Sequence, residues 1–224
     1  MPPRGAKIKW GWGVTATPPI IAALSPARWE GFARGVDDET ALARYVWNIQ
    51  LCEALYPLLH FLEIGLRNGL HREITAKFKR DDWFDMGWLD VSQAEDIEKA
   101  RDAIARKRQD PTPDRIVSEV TFGFWCGLFN RHYEHGQILW PTLIKPVFPR
   151  LPKAMRPIRD IEKNINQMRQ LRNRVFHHEP IWHWRDLRQK HDIGTRLVKG
   201  LNPDLGDQLE AIDRFADILR QRPA

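Results

Sequence analysis

Apolar residues recur along this chain at helical spacing, and nowhere do they alternate as they would on a strand. The longest periodic stretch opens at Asp38 and runs through Leu42, Tyr45, Val46, Ile49, Leu51 and Leu55, with Pro57 as its internal breaker. It predicts two helices, or one kinked helix, over about residues 39–79. From Leu58 to Leu70 the stretch is apolar nearly all round, and at about 100° per residue Leu59, Leu62, Leu66 and Leu70 share a stripe. Glu63 sits at the edge of that stripe and Arg67 one turn further on. The two are four apart in the favourable order for an intrahelical ion pair. Charges kept on the buried side of so apolar a helix can instead be meeting partners on another helix, and Asn68 could join the same cluster. Gly65 and Gly69, also four apart, would let another backbone approach closely, at a cost in helix propensity.

Before this region, residues 1–24 hold Gly5, Gly11, Gly13, Pro18 and Pro19 with Trp10 and Trp12 between them, and read as an irregular N-terminal arm. Ser25-Pro26 supplies a cap and an N1 proline for a short helix ending at Gly35. After the long stretch, residues 80–91 read as a connection with its own aromatic packing, and Ser92-Gln93-Ala94-Glu95 as a capping box. The helix it opens has acids early and bases late, is thin in large apolar residues, and should end near Gln109 as a peripheral element. Thr112-Pro113 caps the next helix, which runs into Thr121-Phe122-Gly123-Phe124-Trp125, a block of core or dimer-interface packing. Four prolines between Pro141 and Pro152 then break the chain ahead of a basic helix from about Arg156 to His178. An amphipathic closing helix is expected on the stripe Leu201, Leu205, Leu209, Ile212, Ala216 and Leu219. The fold class is therefore all-α, a single helical-bundle domain over residues 25–224 preceded by the arm.

Composition adds little to the fold and more to the choice of partner. With 224 residues, 42% hydrophobic and 29% charged, the chain is an ordinary globular protein able to bury a core. Cys52 and Cys126 lie far apart among apolar neighbours and read as buried free thiols of a reducing cytosol. No apolar stretch follows the basic N-terminus and no run approaches the length of a membrane span, so a cytoplasmic protein without membrane insertion is expected. Lysine plus arginine exceed aspartate plus glutamate by 35 minus 29, a net +6, which suits a polyanionic partner. Between Arg150 and Arg174, eight basic residues face only Asp160 and Glu162, a local surplus of 8 minus 2 that equals the whole chain's charge. Such clustering drives phosphate-backbone binding, although a solvated basic helix face has the same pattern. With RNA as the partner, Arg156, Arg159, Lys163, Arg169 and Arg174 would track the strand.

The end of the basic helix carries the candidate chemistry. Pro180 should stop it close to His178, leaving Arg172 in its last turns and His177 at the exit. A helix C-terminus bears partial negative charge, which favours a protonated histidine beside it. RNA brings its own nucleophile, the 2′-OH, so a ribonuclease needs a group to move protons and a group to hold phosphate charge. Histidine and arginine suit those two tasks. Five residues apart, Arg172 and His177 project about 140° from each other on an ideal helix. They converge on one phosphate only if the helix loosens before Pro180, or if two chains each contribute. His177, His178, Glu179 and His183 follow no ligand spacing such as HExxH, and Gly-rich phosphate loops and a nucleophile elbow are absent, so neither metal nor cofactor is expected.

Arg172-Asn173-Arg174-Val175-Phe176-His177 resembles the R-N-x-x-x-H form of the Rx4-6H motif of the HEPN superfamily, whose members are often metal-independent endoribonucleases acting as dimers. More narrowly, LRNRVFHHEPI (171–181), LEIGLRNGL (62–70) and TFGFW (121–125) are similar to the Abi-like family linked to bacterial abortive infection against phage. Together the three blocks span roughly residues 40–185. The resemblance implies a HEPN-like bundle that cleaves RNA in a composite cleft across a homodimer. It implies Arg172 and His177 as the catalytic pair, Asn173 as the polar motif residue, and Glu63, Arg67, Asn68 and His178 as supporting residues. An anti-phage or toxin-antitoxin setting, with a possible protein or RNA antitoxin, comes with it. Two other readings use the same residues: a non-catalytic RNA-binding or regulatory module, and a scaffold that senses a phage product.

Overall fold

A computed structural model describes residues 18–223, and among these every regular element is helical. Two short helices, α1 (Pro18–Leu24) and α2 (Pro26–Ala33), precede α3 (Asp38–Phe78), a 41-residue helix to which most of the others attach. At 1.5 Å per residue α3 is about 60 Å long. Asp37 caps it by accepting the Thr40 N–H at 2.8 Å, and Lys79 closes it in the left-handed region, donating its N–H to the Thr75 carbonyl. Pro57 does not break it. The proline removes one backbone bond, but Ala54, Leu55, Leu58 and Leu59 on either side are all buried in the same core and hold both halves in one span.

The predicted leucine stripe is fully buried, and it extends from Leu51 to Ile74. An 18-residue window of α3 reaches a mean hydropathy of 1.2 and so has the length and composition of a membrane span, contrary to the expectation that no run comes near it. In this fold the leucines of α3 are the centre of the core. The reading of residues 1–24 as irregular needs correcting at its end. Pro18–Leu24 is helical because Ile20, Ile21 and Leu24 pack against Trp29, Ala41 and Leu42 in a small second cluster. Residues 1–17 lie outside the described residues.

Beyond α3, Asp90 caps α4 (Val91–Arg106) by accepting the Gln93 N–H at 2.9 Å. The expected Ser92 box is therefore displaced. Asp90 also accepts from Asn130 Nδ2 at 3.0 Å, a tertiary bond invisible to local spacing. Short helices follow: α5 (Pro113–Glu119), α6 (Phe122–Gly127), α7 (Arg131–Glu134) and α8 (Ile144–Val147). The TFGFW block on α6 is core, with Phe122, Phe124 and Trp125 buried and Phe124 packed edge-on against Trp125 at 5.1 Å.

The basic helix is α9 (Ile158–Phe176), which buries Ile161, Ile165, Met168, Leu171 and Val175 along one face. It packs on α3, α6 and α10 (Leu187–Leu201). Gly194 permits that last approach, since a Cβ there would meet Met168 Sδ at 2.9 Å and Leu58 Cδ2 at 3.0 Å. Gly65 and Gly69 face the side chains of Leu201 and Leu205, not a backbone. The single closing helix is corrected to α10, α11 (Pro203–Ile212) and α12 (Phe215–Arg220). Asn202 is extended and caps α11 through the Leu205 N–H, with Pro203 at its first turn, while the leucine spacing carries on across the break.

One buried contact makes the fold sensitive to pH. Trp83, with no exposed surface, donates its Nε1–H to Nδ1 of His71 at 3.0 Å. Only an imidazole unprotonated at Nδ1 can accept that bond. Burial lowers the His71 pKa below 6.5, against a weaker pull upward from Asp114 and Asp81. The unfolded state therefore takes the proton first as pH falls. This contribution is complete above the unfolded value of about 6.5 and is lost below it, as pH drops toward the folded value. Burial lowers His183 and His191 too. The urea midpoint is predicted to drop from about pH 7 to pH 5, and His71→Gln should reduce that slope without abolishing it. An unchanged slope in the variant would contradict the assignment.

Candidate functional site

Glu63 on α3 and Arg172 on α9 meet where the two helices pack. Arg172 Nε donates to Glu63 Oε2 at 3.1 Å, and Nη2 reaches Oε1 at 3.5 Å. Of the two arrangements open to Glu63, the cross-helix one is realised. Arg67 turns the other way and donates from Nε to Asn68 Oδ1 at 3.1 Å. The paired side chains are 26% and 24% exposed, so water screens them less than a surface pair and they escape the desolvation cost of a deeply buried one. Only one edge of the guanidinium is used. Nη1 and the second Nη2 hydrogen remain able to bond an anion.

Arg172 also lies over the ring of Phe176, one turn later, at 4.5 Å from its centroid. Phe176 stacks on Tyr56 at 5.8 Å, and Tyr56 on His60 at 5.8 Å. A column of His60, Tyr56, Phe176 and Arg172 thus stands on the solvent side of the α3–α9 junction. Tyr56 and His60 belong to no motif. Their available signal was their placement with Glu63 and Arg67 on one face of α3, at spacings of four, three and four.

The C-terminal end of α9 is closed by a specific backbone arrangement. His177 is the cap residue, the His178 N–H donates to the Val175 carbonyl at 3.2 Å, and the Glu179 N–H donates to the Arg174 carbonyl at 2.8 Å. These two bonds require a left-handed residue between them, and His178 occupies it at φ 57° where glycine is usual. Arg28 pins the turn by donating to the His178 carbonyl at 2.8 Å. Buried Asn48 holds the chain beyond Pro180, its Oδ1 accepting the N–H groups of Ile181 at 2.8 Å and Trp182 at 3.1 Å. The part His178 plays in this structure is to form the turn with its backbone.

Arg172 and His177 are not brought together within one chain. The helix stays regular through Phe176, so the loosening that would let them converge does not occur. The His177 ring is exposed at the cap with no hydrogen bond, ion pair or ring contact among the described residues. Asn173 is exposed as well, and its carbonyl accepts the His177 N–H at 2.9 Å.

Of the five basic residues expected to track RNA, Arg159, Lys163 and Arg174 lie within about 60° of one another around α9, and Arg169 points elsewhere. Arg156 donates to the Leu151 carbonyl at 2.9 Å, tying down the turn before α9, while Arg159 and Lys163 are exposed. Arg174 pairs with Glu179 at 3.2 Å and lies 5.5 Å over Trp184. At 100° per residue, Lys163 and Arg174 fall on one flank of α9 and Arg169 and Arg172 about 160° away on the other. Arg169 has a buried Nε without a partner. Its charge, with those of Glu63 and Arg172, reaches the Cys126 thiol beneath, whose pKa is raised chiefly by burial. Burial also pushes the half-buried Cys52 up to about 11, so neither thiol is activated as a nucleophile.

Among the described residues, no group of three or more His, Cys, Asp or Glu side chains is placed to hold a metal ion. Comparison of the chain with protein-family models, curated proteins and solved structures finds no match. The ion pair itself can be tested directly. A double-mutant cycle of Glu63→Gln and Arg172→Gln in urea unfolding should return a coupling of about 1 kcal/mol. Additive single effects would mean that the contact contributes nothing to holding α9 on α3.

Proposed function

We propose that this chain is a metal-independent endoribonuclease working as a homodimer, of the kind implied by its resemblance to the Abi-like HEPN family. The observation that carries the reading is the posture of Arg172. Glu63 and Phe176 orient its guanidinium, one edge stays open to an anion, and the exit of the same helix carries an exposed imidazole at His177. Arg172 would bond the non-bridging oxygens of the scissile phosphate and stabilise the charge that builds on them. The 2′-OH would attack phosphorus as the bond to the 5′ oxygen breaks, giving a 2′,3′-cyclic phosphate and a free 5′-hydroxyl. His177 would take the proton from the 2′-OH or supply one to the departing oxygen. Because the two side chains project apart on one helix, each working pair is proposed to combine Arg172 of one copy with His177 of the other. The proposed setting is a cytoplasmic anti-phage or toxin-antitoxin system.

One observation favours a second reading. Glu63 already neutralises much of the charge on Arg172, as suits a structural pair in a non-catalytic RNA-binding or regulatory module. RNA binding that weakens with salt, with no cleavage under any condition, would select it.

The nuclease reading predicts cleavage of single-stranded RNA that persists in EDTA. His177→Ala and Arg172→Ala should each slow it by about 100-fold or more. Equal rates for wild type and His177→Ala, or loss of wild-type activity in EDTA, would sink the mechanism.

A further inference from the structure

The aromatic column beside Arg172 has a use that cleavage alone does not require. Tyr56 is 51% exposed and Phe176 39%, which places them among the few large hydrophobic side chains that face solvent among the described residues. His60, also exposed, continues the row on α3. Neighbouring rings are inclined by only 29° and 21°, with centroids 5.8 Å apart. At that distance near-parallel rings are offset, tiled instead of eclipsed. Part of each face therefore remains open to a planar guest.

What surrounds the rings identifies the guest. Arg172 closes one end of the column, and Arg67 follows His60 and Glu63 along the same face of α3. Arg169 lies on the Arg172 flank of α9, so the junction carries three arginines against one carboxylate, of which Arg172 alone pairs with Glu63. A strip of aromatic faces flanked by guanidinium groups matches an unpaired nucleotide, which offers a π-face and a phosphate about one residue apart. The rings alone are too small to make a protein interface. Half-exposed rings of this size present about 250 Å² in total, against the roughly 800 Å² that each partner of a stable interface buries.

We infer that Tyr56, His60 and Phe176 form a stacking platform for an unpaired base, which sets one nucleotide of the strand beside Arg172. The inference rests on the RNA reading proposed above but not on cleavage. A duplex keeps its bases stacked on one another and cannot use the platform.

The test uses a fluorescent ten-nucleotide RNA with 2′-O-methyl groups, which removes the nucleophile and leaves only binding. It is measured alone, as a blunt duplex, and with two central bases missing. Wild type should bind the single strand tighter than the duplex and the abasic strand. Tyr56→Leu keeps an apolar residue at an exposed position, and it should weaken single-strand binding by about 5- to 100-fold while leaving duplex binding unchanged. His60→Ala should act in the same direction. Single-strand affinity equal to wild type in Tyr56→Leu overturns the platform, as does an equal loss for strand and duplex. A change of oligomeric mass in Tyr56→Leu also overturns it, because the row is then a protein interface. Wild type that binds none of the three probes removes the RNA reading, and the platform with it. Strand binding as expected with no cleavage of unmodified RNA upholds the platform and removes only the nuclease.

Discussion

The two-point pair between Glu63 and Arg172 is the contact on which the arrangement of the site depends. It joins two helices whose residues are 109 positions apart in sequence, and it does so at the rim of a core made from the leucines of α3 and the apolar face of α9. The apolar contacts supply most of the association, since burial of such side chains stabilises by a kcal/mol or more each. The ion pair adds direction. It sets the rotation of the guanidinium, and with Phe176 beneath, that rotation decides which N–H groups face solvent.

The same helix that orients Arg172 carries His177 away from it. An α-helix held regular to Phe176 leaves no freedom to bring the two together, and the backbone bonds of the His178 turn, the Arg28 contact and the Asn48 clamp make the exit as defined as the helix. A left-handed histidine in that turn costs about 1 kcal/mol relative to glycine, so the neighbouring bonds must offset it. A site that needs both side chains must therefore draw them from different copies, and this links the shape of one turn to the proposed homodimer.

Much of this was legible along the chain because it depends on spacing. The leucine stripe of α3, the apolar face of α9 and the helix stop near His178 follow from periodicity and the proline, while for Glu63 the spacing allowed either Arg67 or a partner on another helix, and the structure has the second. Other features were hidden because long-range contacts decide them. Asp90 displaced the Ser92 box with help from Asn130, and packing on Trp29 made Pro18–Leu24 helical. Leucine spacing ran unbroken across Asn202, so three helices looked like one. The basic run seemed a single face until its residues were placed around α9, where they divide between two flanks. Tyr56 and His60 escaped notice because two aromatic residues one turn apart ordinarily mean core. Only their exposure gives them another meaning.

The claim that one working pair spans two chains is tested most directly by mixing inactive variants. Arg172→Ala and His177→Ala, each inactive alone, would be co-refolded in equal amounts and assayed for RNA cleavage. If the pair is shared, each mixed dimer carries one intact site, and random pairing restores about one quarter of the wild-type rate. If the mixture stays as inactive as its components, Arg172 and His177 do not act across copies, and the account of the site is wrong.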